Sequence, residues 1–212
     1  MRTRYGACCP ARSGHALFEL TPWAPWQLAQ VAGDAAAGGK KHASSCASCH
    51  GAQGVSSNEA WPNLAGQHAP YLVRILAAYK SGAQTDIMMS SVARALSDAE
   101  IQNLATYYAG LSCKQATQKT SADAVAAGKA LAKNCTACHG ETGIAGNPAW
   151  PSIAGQKADY LANALKAFRA GLRKDPTMAG VVRGLSDTDI ANLAAYYGAQ
   201  SCRPAAQERK TR

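Results

Sequence analysis

The stretch CASCH at residues 46–50 occurs again as CTACH at residues 135–139, 89 positions later. Aligned at this offset without a gap, residues 34–113 and 123–202 are identical at 39 of 80 positions. An internal repeat of this quality indicates duplication of one folding unit. The sequence therefore predicts two homologous domains of about 80 residues, a size that can fold but gains from additional cross-links.

Cys-x-x-Cys followed directly by His is typical of covalent attachment of a c-type haem. Two thiols three positions apart on a helical turn can add to the two vinyl groups of one porphyrin, and the adjacent imidazole can bind the iron. The predicted residues for two covalently bound haem c groups are the thioethers Cys46, Cys49, Cys135 and Cys138 and the proximal ligands His50 and His139. A zinc site would need a further ligand at each motif, and a thioredoxin-type dithiol would need a βαβ context.

The opposite axial ligand is expected at equivalent positions of both domains, downstream of the motif. No other histidine recurs at the 89-residue offset, and His42, for example, aligns with Leu131. Methionine does recur, as Met89 and Met178, each in a polar segment just before a capped helix. The alternative role for a methionine is packing in the hydrophobic core, but residues of a polar segment seldom lie in the core. A His/Met pair would favour ferrous iron and raise its potential.

A proline follows each motif histidine at the same distance. We predict that the carbonyl oxygens of Pro62 and Pro151 accept the Nδ1–H of His50 and His139, which would fix each imidazole ring. The alternative is that each Trp-Pro pair forms a rigid turn that covers the haem edge. Both interpretations place these prolines beside the cofactor.

The hydrophobic periodicity is helical in both domains and predicts an all-α fold. The predicted helices cover 34–45 and 123–134, 69–80 and 158–170, and the segments that follow the capping-box residues Ser97 and Ser186. Gly39 and Gly128 fall inside the first helix of each domain, where glycine is unfavourable. We expect them to permit a close crossing against the last helix, which carries paired tyrosines.

The predicted organisation is an N-terminal segment 1–32, a first domain 33–113, a linker 114–122, a second domain 123–202 and a basic tail 203–212. Prolines, a histidine and charged residues interrupt any apolar region of the N-terminal segment, which makes it a poor export signal. Either the start codon is misassigned or export uses another route.

The 22 Lys+Arg residues outnumber the 13 Asp+Glu residues, for a formal charge of +9. The first domain is neutral and the second carries +2, so most of the excess lies in the linker and the terminal segments. Because the charge is not spread over a folded face, it predicts no nucleic-acid binding. We expect it to steer docking of the second domain onto an acidic partner. No apolar stretch approaches the ~20 residues of a membrane-spanning helix.

Together, the paired Cys-x-x-Cys-His units, Trp-Pro-x-Leu/Ile-Ala-Gly-Gln, the Asp-x-x-Met loop and the Leu-Ser-Asp helix ending in Tyr-Tyr resemble the dihaem cytochrome c4 family. The resemblance covers residues 33–202. It implies two tandem class I cytochrome c domains related by a pseudo-two-fold axis, with haem propionates near the interface. It also implies a periplasmic electron carrier, not an enzyme. Such a carrier takes electrons from a membrane cytochrome complex or a dehydrogenase and passes them to a terminal oxidase, a role compatible with peripheral membrane association.

Two other functions remain open from the sequence. One is the electron-accepting cytochrome subunit of a dehydrogenase, for example a sulfide-oxidising flavocytochrome, where similar dihaem subunits occur. A dihaem peroxidase is a third possibility, but it needs an iron with an open sixth site, whereas both units offer a matched methionine. An oxidising periplasm also allows, without requiring, a disulfide between Cys113 and Cys202.

Overall fold

The computed structural model describes residues 33–202, in which all regular structure is helical and no strand occurs. The helices are α1 (Ala35–Ser45), α2 (Ala47–His50), α3 (Ala69–Ser81), α4 (Met89–Arg94), α5 (Asp98–Gly110), α6 (Ala122–Leu131), α7 (Lys133–His139), α8 (Ala158–Arg169), α9 (Pro176–Val182) and α10 (Asp187–Ala199). Helices α1–α5 form the first domain and α6–α10 the second. The predicted all-α class is confirmed for the described residues, whereas the expectations for 1–32 and 203–212 lie outside them.

The last helix of each domain begins at the predicted capping box. Ser97 accepts the backbone N–H of Glu100, and the Glu100 carboxylate accepts the backbone N–H of Ser97 in return. Ser186 and Asp189 repeat this arrangement at the start of α10. Each box satisfies two backbone donors that have no partner within the helix, so α5 and α10 begin at equivalent residues.

The first and last helices of each domain cross at a glycine. A Cβ atom on Gly38 would lie 2.1 Å from the carbonyl oxygen of Asn103, and one on Gly128 would lie 2.0 Å from that of Asn192. Either contact is far shorter than real side-chain contacts, so only glycine permits this approach. The close crossing is therefore confirmed for Gly128. In the first domain the closest backbone approach falls on Gly38, while a Cβ atom on Gly39 would lie 3.2 Å from the ring of Tyr107 on the same last helix.

The equivalent glycines, Gly38 and Gly128, are 90 residues apart rather than 89. The gapless alignment is therefore wrong over the first helix, because the first domain has one more residue between this glycine and the Cys-x-x-Cys-His motif. As a consequence, His42 occupies the position of Ala132, not that of Leu131. Both side chains are buried.

Each domain has its own apolar core between its last helix and its third. The first core consists of Leu72, Leu76, Leu96, Ile101, Leu104, Ala105 and Tyr108. The second consists of Ala132, Ala158, Leu161, Leu193, Ala194, Tyr196 and Tyr197. Full burial of a Leu or Ile side chain stabilises a fold by about 1.5–3 kcal/mol, so each core fixes its last helix against the rest of its domain.

The contacts between the domains are reciprocal. Gln67 donates to the carbonyl of Ser152 at 2.8 Å and accepts its backbone N–H at 3.0 Å. Gln156 donates to the carbonyl of Asn63 at 2.9 Å and accepts its backbone N–H at 2.8 Å. Because 63 and 152, like 67 and 156, are equivalent positions, each domain offers the other the same surface, as across a two-fold axis. The predicted pseudo-two-fold relation is thus confirmed.

A disulfide joins Cys113 and Cys202, whose Cα atoms lie 6.1 Å apart. The sequence left this bond open. The two cysteines are equivalent residues that follow α5 and α10, so the bond also lies on the pseudo-two-fold axis. Residues 114–120 then connect the domains without helix or strand, with the backbone N–H of Ala116 bonded to the carbonyl of Gly155. None of the helices described in 33–202 is long and apolar enough to cross a bilayer.

Candidate haem-binding sites

The motif histidines lie at the ends of the short helices α2 and α7, where the chain turns sharply at a glycine. His50 Nδ1 lies 3.0 Å from the carbonyl oxygen of Pro62, and His139 Nδ1 lies 2.8 Å from that of Pro151. A carbonyl only accepts hydrogen bonds, so Nδ1 carries the proton in both rings and Nε2 keeps its lone pair for a metal. Burial lowers the pKa of both histidines, which favours the neutral, ligating form.

The motif cysteines are partly exposed and form no disulfide. Cys46 directly precedes α2, and Cys49 lies one helical turn further along. In the second domain, α7 holds Cys135 and Cys138 at the same spacing. Each pair therefore presents two thiols on one side of a helical turn, next to the histidine that follows.

The recurring methionines lie at the start of two short helices, α4 and α9, that the sequence analysis missed. The Asp86 carboxylate accepts the backbone N–H of Met89 at 2.8 Å. The Asp175 carboxylate accepts that of Met178 at 3.0 Å and caps α9, where Pro176 takes the first position. The expected polar loop is thus a capped helical turn in both domains. Aspartate three residues before each methionine was the signal that could have predicted it.

One continuous cavity of about 630 Å³ is lined by residues of both domains. It brings together all ten predicted site residues, namely Cys46, Cys49, His50, Pro62 and Met89 with Cys135, Cys138, His139, Pro151 and Met178. Apolar core residues such as Leu72 and Leu161 form much of the remaining wall. Paired thiols, one oriented imidazole and one thioether in an apolar pocket are the donor set that a c-type haem requires, so the residues present fit this cofactor twice.

The surroundings of the two sites differ at the tyrosine of the last helix. Tyr108 donates its hydroxyl proton to His42 Nδ1 at 2.8 Å, while His42 Nε2 lies 3.1 Å from the carbonyl of Ala52. In the second domain Ala132 takes the position of His42, and the buried hydroxyl of the equivalent Tyr197 has no nitrogen or oxygen partner, only the Cys135 thiol. This difference is hidden in the gapless alignment, where His42 pairs with Leu131 and not with Ala132.

Further cavity residues that the sequence analysis did not select as functional lie where the domains meet. They are Tyr71, Gln84, Tyr160 and Arg173. Tyr71 and Tyr160 are equivalent and recur in the alignment, whereas Gln84 aligns with Arg173. A change from a neutral to a cationic residue within an otherwise well-matched repeat was the available signal.

Comparison with known proteins agrees with this geometry. The Cytochrome c family model matches residues 36–112 and again 125–197. Cytochrome c4 of Pseudomonas aeruginosa is 36% identical over 183 residues, covering 80% of this chain and 90% of that protein. The thiosulfate dehydrogenase electron acceptor of Stutzerimonas stutzeri is 34% identical over 175 residues, covering 76% of this chain and 81% of that protein. The crystal structure of reduced recombinant cytochrome c4 from Pseudomonas stutzeri matches with a TM-score of 0.74 at 30% identity, covering 80% of this chain and all of that one.

Two helical domains, each with a haem-attachment motif and a matched methionine, define a dihaem c-type cytochrome. The cytochrome c4 relatives are electron-transfer proteins, not enzymes. The chain belongs to the cytochrome c family and, within it, to the dihaem cytochrome c4 family. It carries two covalently attached haem c groups, as predicted. The roles of the individual thioether and axial residues stay predictions.

Proposed function

We propose that this cytochrome is a periplasmic electron carrier that accepts single electrons from a membrane cytochrome complex or a dehydrogenase and delivers them to a terminal oxidase. The observation that carries the proposal is the continuous cavity, which joins two equivalent sets of thiol, imidazole and thioether groups across the domain interface. Two redox centres in one cavity allow an electron to enter at one domain and leave at the other.

In this proposal, Cys46 and Cys49 attach the first haem and Cys135 and Cys138 the second, and each group supplies a one-electron Fe(III)/Fe(II) couple when bound. His50 and His139, held in orientation by the carbonyls of Pro62 and Pro151, would ligate the two irons through Nε2. Met89 and Met178 would supply the thioether ligands. The chain itself excludes water with its apolar walls, which favours the less charged ferrous state.

The disulfide supports the proposed location. Cys113 and Cys202 are bonded, and disulfides persist in oxidising compartments such as the bacterial periplasm and are rare in the cytosol. Covalent haem attachment and this disulfide are therefore compatible with the same compartment. Fractionation of the native organism, with the cytochrome detected by its haem after gel electrophoresis, would test this part of the proposal.

A second candidate is an electron-accepting partner of a dehydrogenase. It is favoured by the relatives named as thiosulfate dehydrogenase electron acceptors in two organisms. It is also favoured by a thiosulfate dehydrogenase from Marichromatium purpuratum, a structure with a TM-score of 0.70 at 28% identity, although this chain covers 40% of that one. Both candidates use the same two redox centres and differ in the donor.

The test is kinetic. The oxidised holoprotein is mixed with membranes containing a quinol-oxidising cytochrome complex or with a purified sulfur-compound dehydrogenase, and haem reduction is followed by absorbance. Rapid reduction by the membranes, followed by oxidase turnover, supports the carrier. Reduction by the dehydrogenase alone, together with co-purification of the two proteins, supports the second candidate. Rates that are insensitive to salt would contradict docking through the basic second domain.

A further inference from the structure

A single guanidinium bridges the two equivalent tyrosines at the domain interface. Arg173 Nη2 donates to the hydroxyl of Tyr71 in the first domain at 3.0 Å, and Nη1 donates to that of Tyr160 in the second at 3.2 Å. The guanidinium also lies over the ring of Phe168, with its central carbon 4.8 Å from the ring centroid. Arg173 therefore contacts both domains and lines the cavity they share.

This cation has no anionic partner among residues 33–202. The ion pairs found there involve other basic residues, and no carboxylate oxygen lies within 4 Å of the Arg173 guanidinium. Its Nε atom is shielded from solvent and makes no hydrogen bond. Burial raises the pKa of Tyr71 above its ordinary value, so this hydroxyl stays neutral and cannot balance the charge. The Arg173 side chain is partly buried, and a partly desolvated charge without a counterion is unfavourable, so an anion bound here would stabilise it.

The cation is present on one side of the pseudo-two-fold axis only. The residue equivalent to Arg173 is Gln84, which is buried, whereas Arg173 is partly buried. Its carboxamide bonds to the backbone N–H and carbonyl of Lys174 in the other domain and carries no charge. Arg173 is therefore a cation with no charged equivalent in the first domain. The other arginine that lines the cavity, Arg74, lies over the ring of Tyr71, 5.4 Å from its centroid, and donates to the carbonyl of Ala149.

We propose that Arg173 anchors carboxylate groups of both haems at the domain interface and raises the reduction potential of both. The proposal rests on haem attachment at the two motifs, as proposed above. Each haem c carries two carboxylates, which are the anions the cavity can receive, and guanidinium pairs with carboxylates through two parallel hydrogen bonds. A fixed positive charge disfavours the more positive, oxidised iron, so both potentials rise.

The test uses the full holoprotein and three variants. Arg173→Gln removes the charge, and Arg173→Lys retains it as a matched control. A swap variant, Gln84→Arg with Arg173→Gln, moves the cation to the equivalent position, where the same two tyrosines are available. The two midpoint potentials are measured by spectroelectrochemistry, and the haem content by the pyridine haemochrome spectrum.

We expect Arg173→Gln to lower the equilibrium constant for reduction of each haem about tenfold, a shift of about 59 mV for a one-electron couple. In Arg173→Lys, both midpoint potentials should stay close to the wild-type values. In the swap variant, both should return to the wild-type values. A loaded Arg173→Gln protein in which only one potential moves, or neither, would overturn the proposal. If Arg173→Gln does not load haem, the swap variant provides the test. Midpoint potentials below the wild-type values in that variant would also overturn the proposal. A wild-type protein without two haems would instead refute the proposed attachment.

Discussion

The two domains contain the same predicted ligands but place them in different surroundings. In the first, a buried histidine, His42, holds the hydroxyl of Tyr108. In the second, Ala132 takes that place and the hydroxyl of Tyr197 has no nitrogen or oxygen partner. The cause is one additional residue between the crossing glycine and the haem motif of the first domain. Identical motifs therefore do not make identical sites.

The same contrast recurs at the domain interface. His68 and Lys157 are equivalent residues, and each reaches into the other domain. His68 Nε2 lies 3.0 Å from the carbonyl of Ala145, whereas Lys157 forms a largely buried ion pair with Glu59 at 3.0 Å. With Gln84 opposite Arg173, this makes three positions at which the halves differ in charge or hydrogen bonding. We therefore expect the two haems to have different potentials.

The largest effect is expected from removing one axial methionine at a time. Met89→Ala and Met178→Ala should each lower the potential of the haem in their own domain by on the order of 0.2 V, because the thioether favours ferrous iron and axial ligands set potentials over a range of ~0.8 V. Spectroelectrochemistry of each variant would also assign the two potentials to the two domains. Met88→Ala is the control, since Met88 is exposed. A variant with an unchanged potential would refute that ligand.

Breaking the disulfide should reveal how unequal the domains are in stability. The bond closes a segment with a sequence separation of 89 residues, and loops of this length correspond to about 4 kcal/mol. Replacing Cys113 and Cys202 by serine should lower the free energy of unfolding by about that amount and separate one transition into two. Denaturation monitored by haem absorbance and by circular dichroism checks this. A single transition at the wild-type midpoint would contradict it.

His42→Ala converts the first domain to the arrangement of the second. It should cost about 1–3 kcal/mol, because it leaves the buried Tyr108 hydroxyl unpaired. The matched pair is Tyr108→Phe, which should destabilise by about 1 kcal/mol, and Tyr197→Phe, which should cost less because that hydroxyl has no nitrogen or oxygen partner to lose. Urea denaturation of the three variants measures the differences. Equal effects of the two tyrosine substitutions would show that the domains do not differ here.

The smallest effect is expected at the capping boxes. Hydrogen bonding to the Ser97 backbone and to Lys41 lowers the pKa of Glu100 to about 2, and Ser186 lowers that of Asp189. A lowered carboxylate pKa stabilises the fold above the unfolded value of about 4.5 and ceases to do so as the pH falls toward 2. Glu100→Gln should therefore lower the melting temperature at pH 7 but not near pH 2.

Asp189→Asn is the matched variant for the second domain. It should have the smaller effect at pH 7, because Glu100 also pairs with Lys41 at 2.9 Å, whereas Asp189 forms no ion pair among the described residues. Melting temperatures measured across this pH range distinguish the two. A larger effect of Asp189→Asn would mean that the Lys41 pair contributes nothing.

Local signals in the sequence predicted most of the fold. The capping boxes at Ser97 and Ser186 and the hydrophobic periodicity of α3 and α8 depend on neighbouring residues, which a sequence displays directly. The register of the first helix was wrong for the opposite reason. The number of identical residues is highest when Gly39 is paired with Gly128. The distance between the crossing helices instead pairs Gly38 with Gly128, and a sequence comparison does not contain that distance.

The candidate sites divide in the same way. The motif residues and Met89 with Met178 could be chosen because they recur at a fixed offset. His42 and Arg173, which make the two halves unequal, could not be chosen in this way. A search for residues that recur at a fixed offset finds only positions that are the same in both domains. The roles of His42 and Arg173 depend on contacts between segments far apart in the chain, such as Arg173 with Tyr71.

The reciprocal bonds of Gln67 and Gln156 describe an interface that two separate copies of one ancestral unit could have formed as a symmetric dimer. In such a dimer every substitution appears twice, so a lone cation on the axis is forbidden: two arginines would face each other, or none. Joining the copies into one chain removes that constraint. Within one chain, a charge at position 173 can face a neutral residue at 84, so the two halves of the interface can differ in charge.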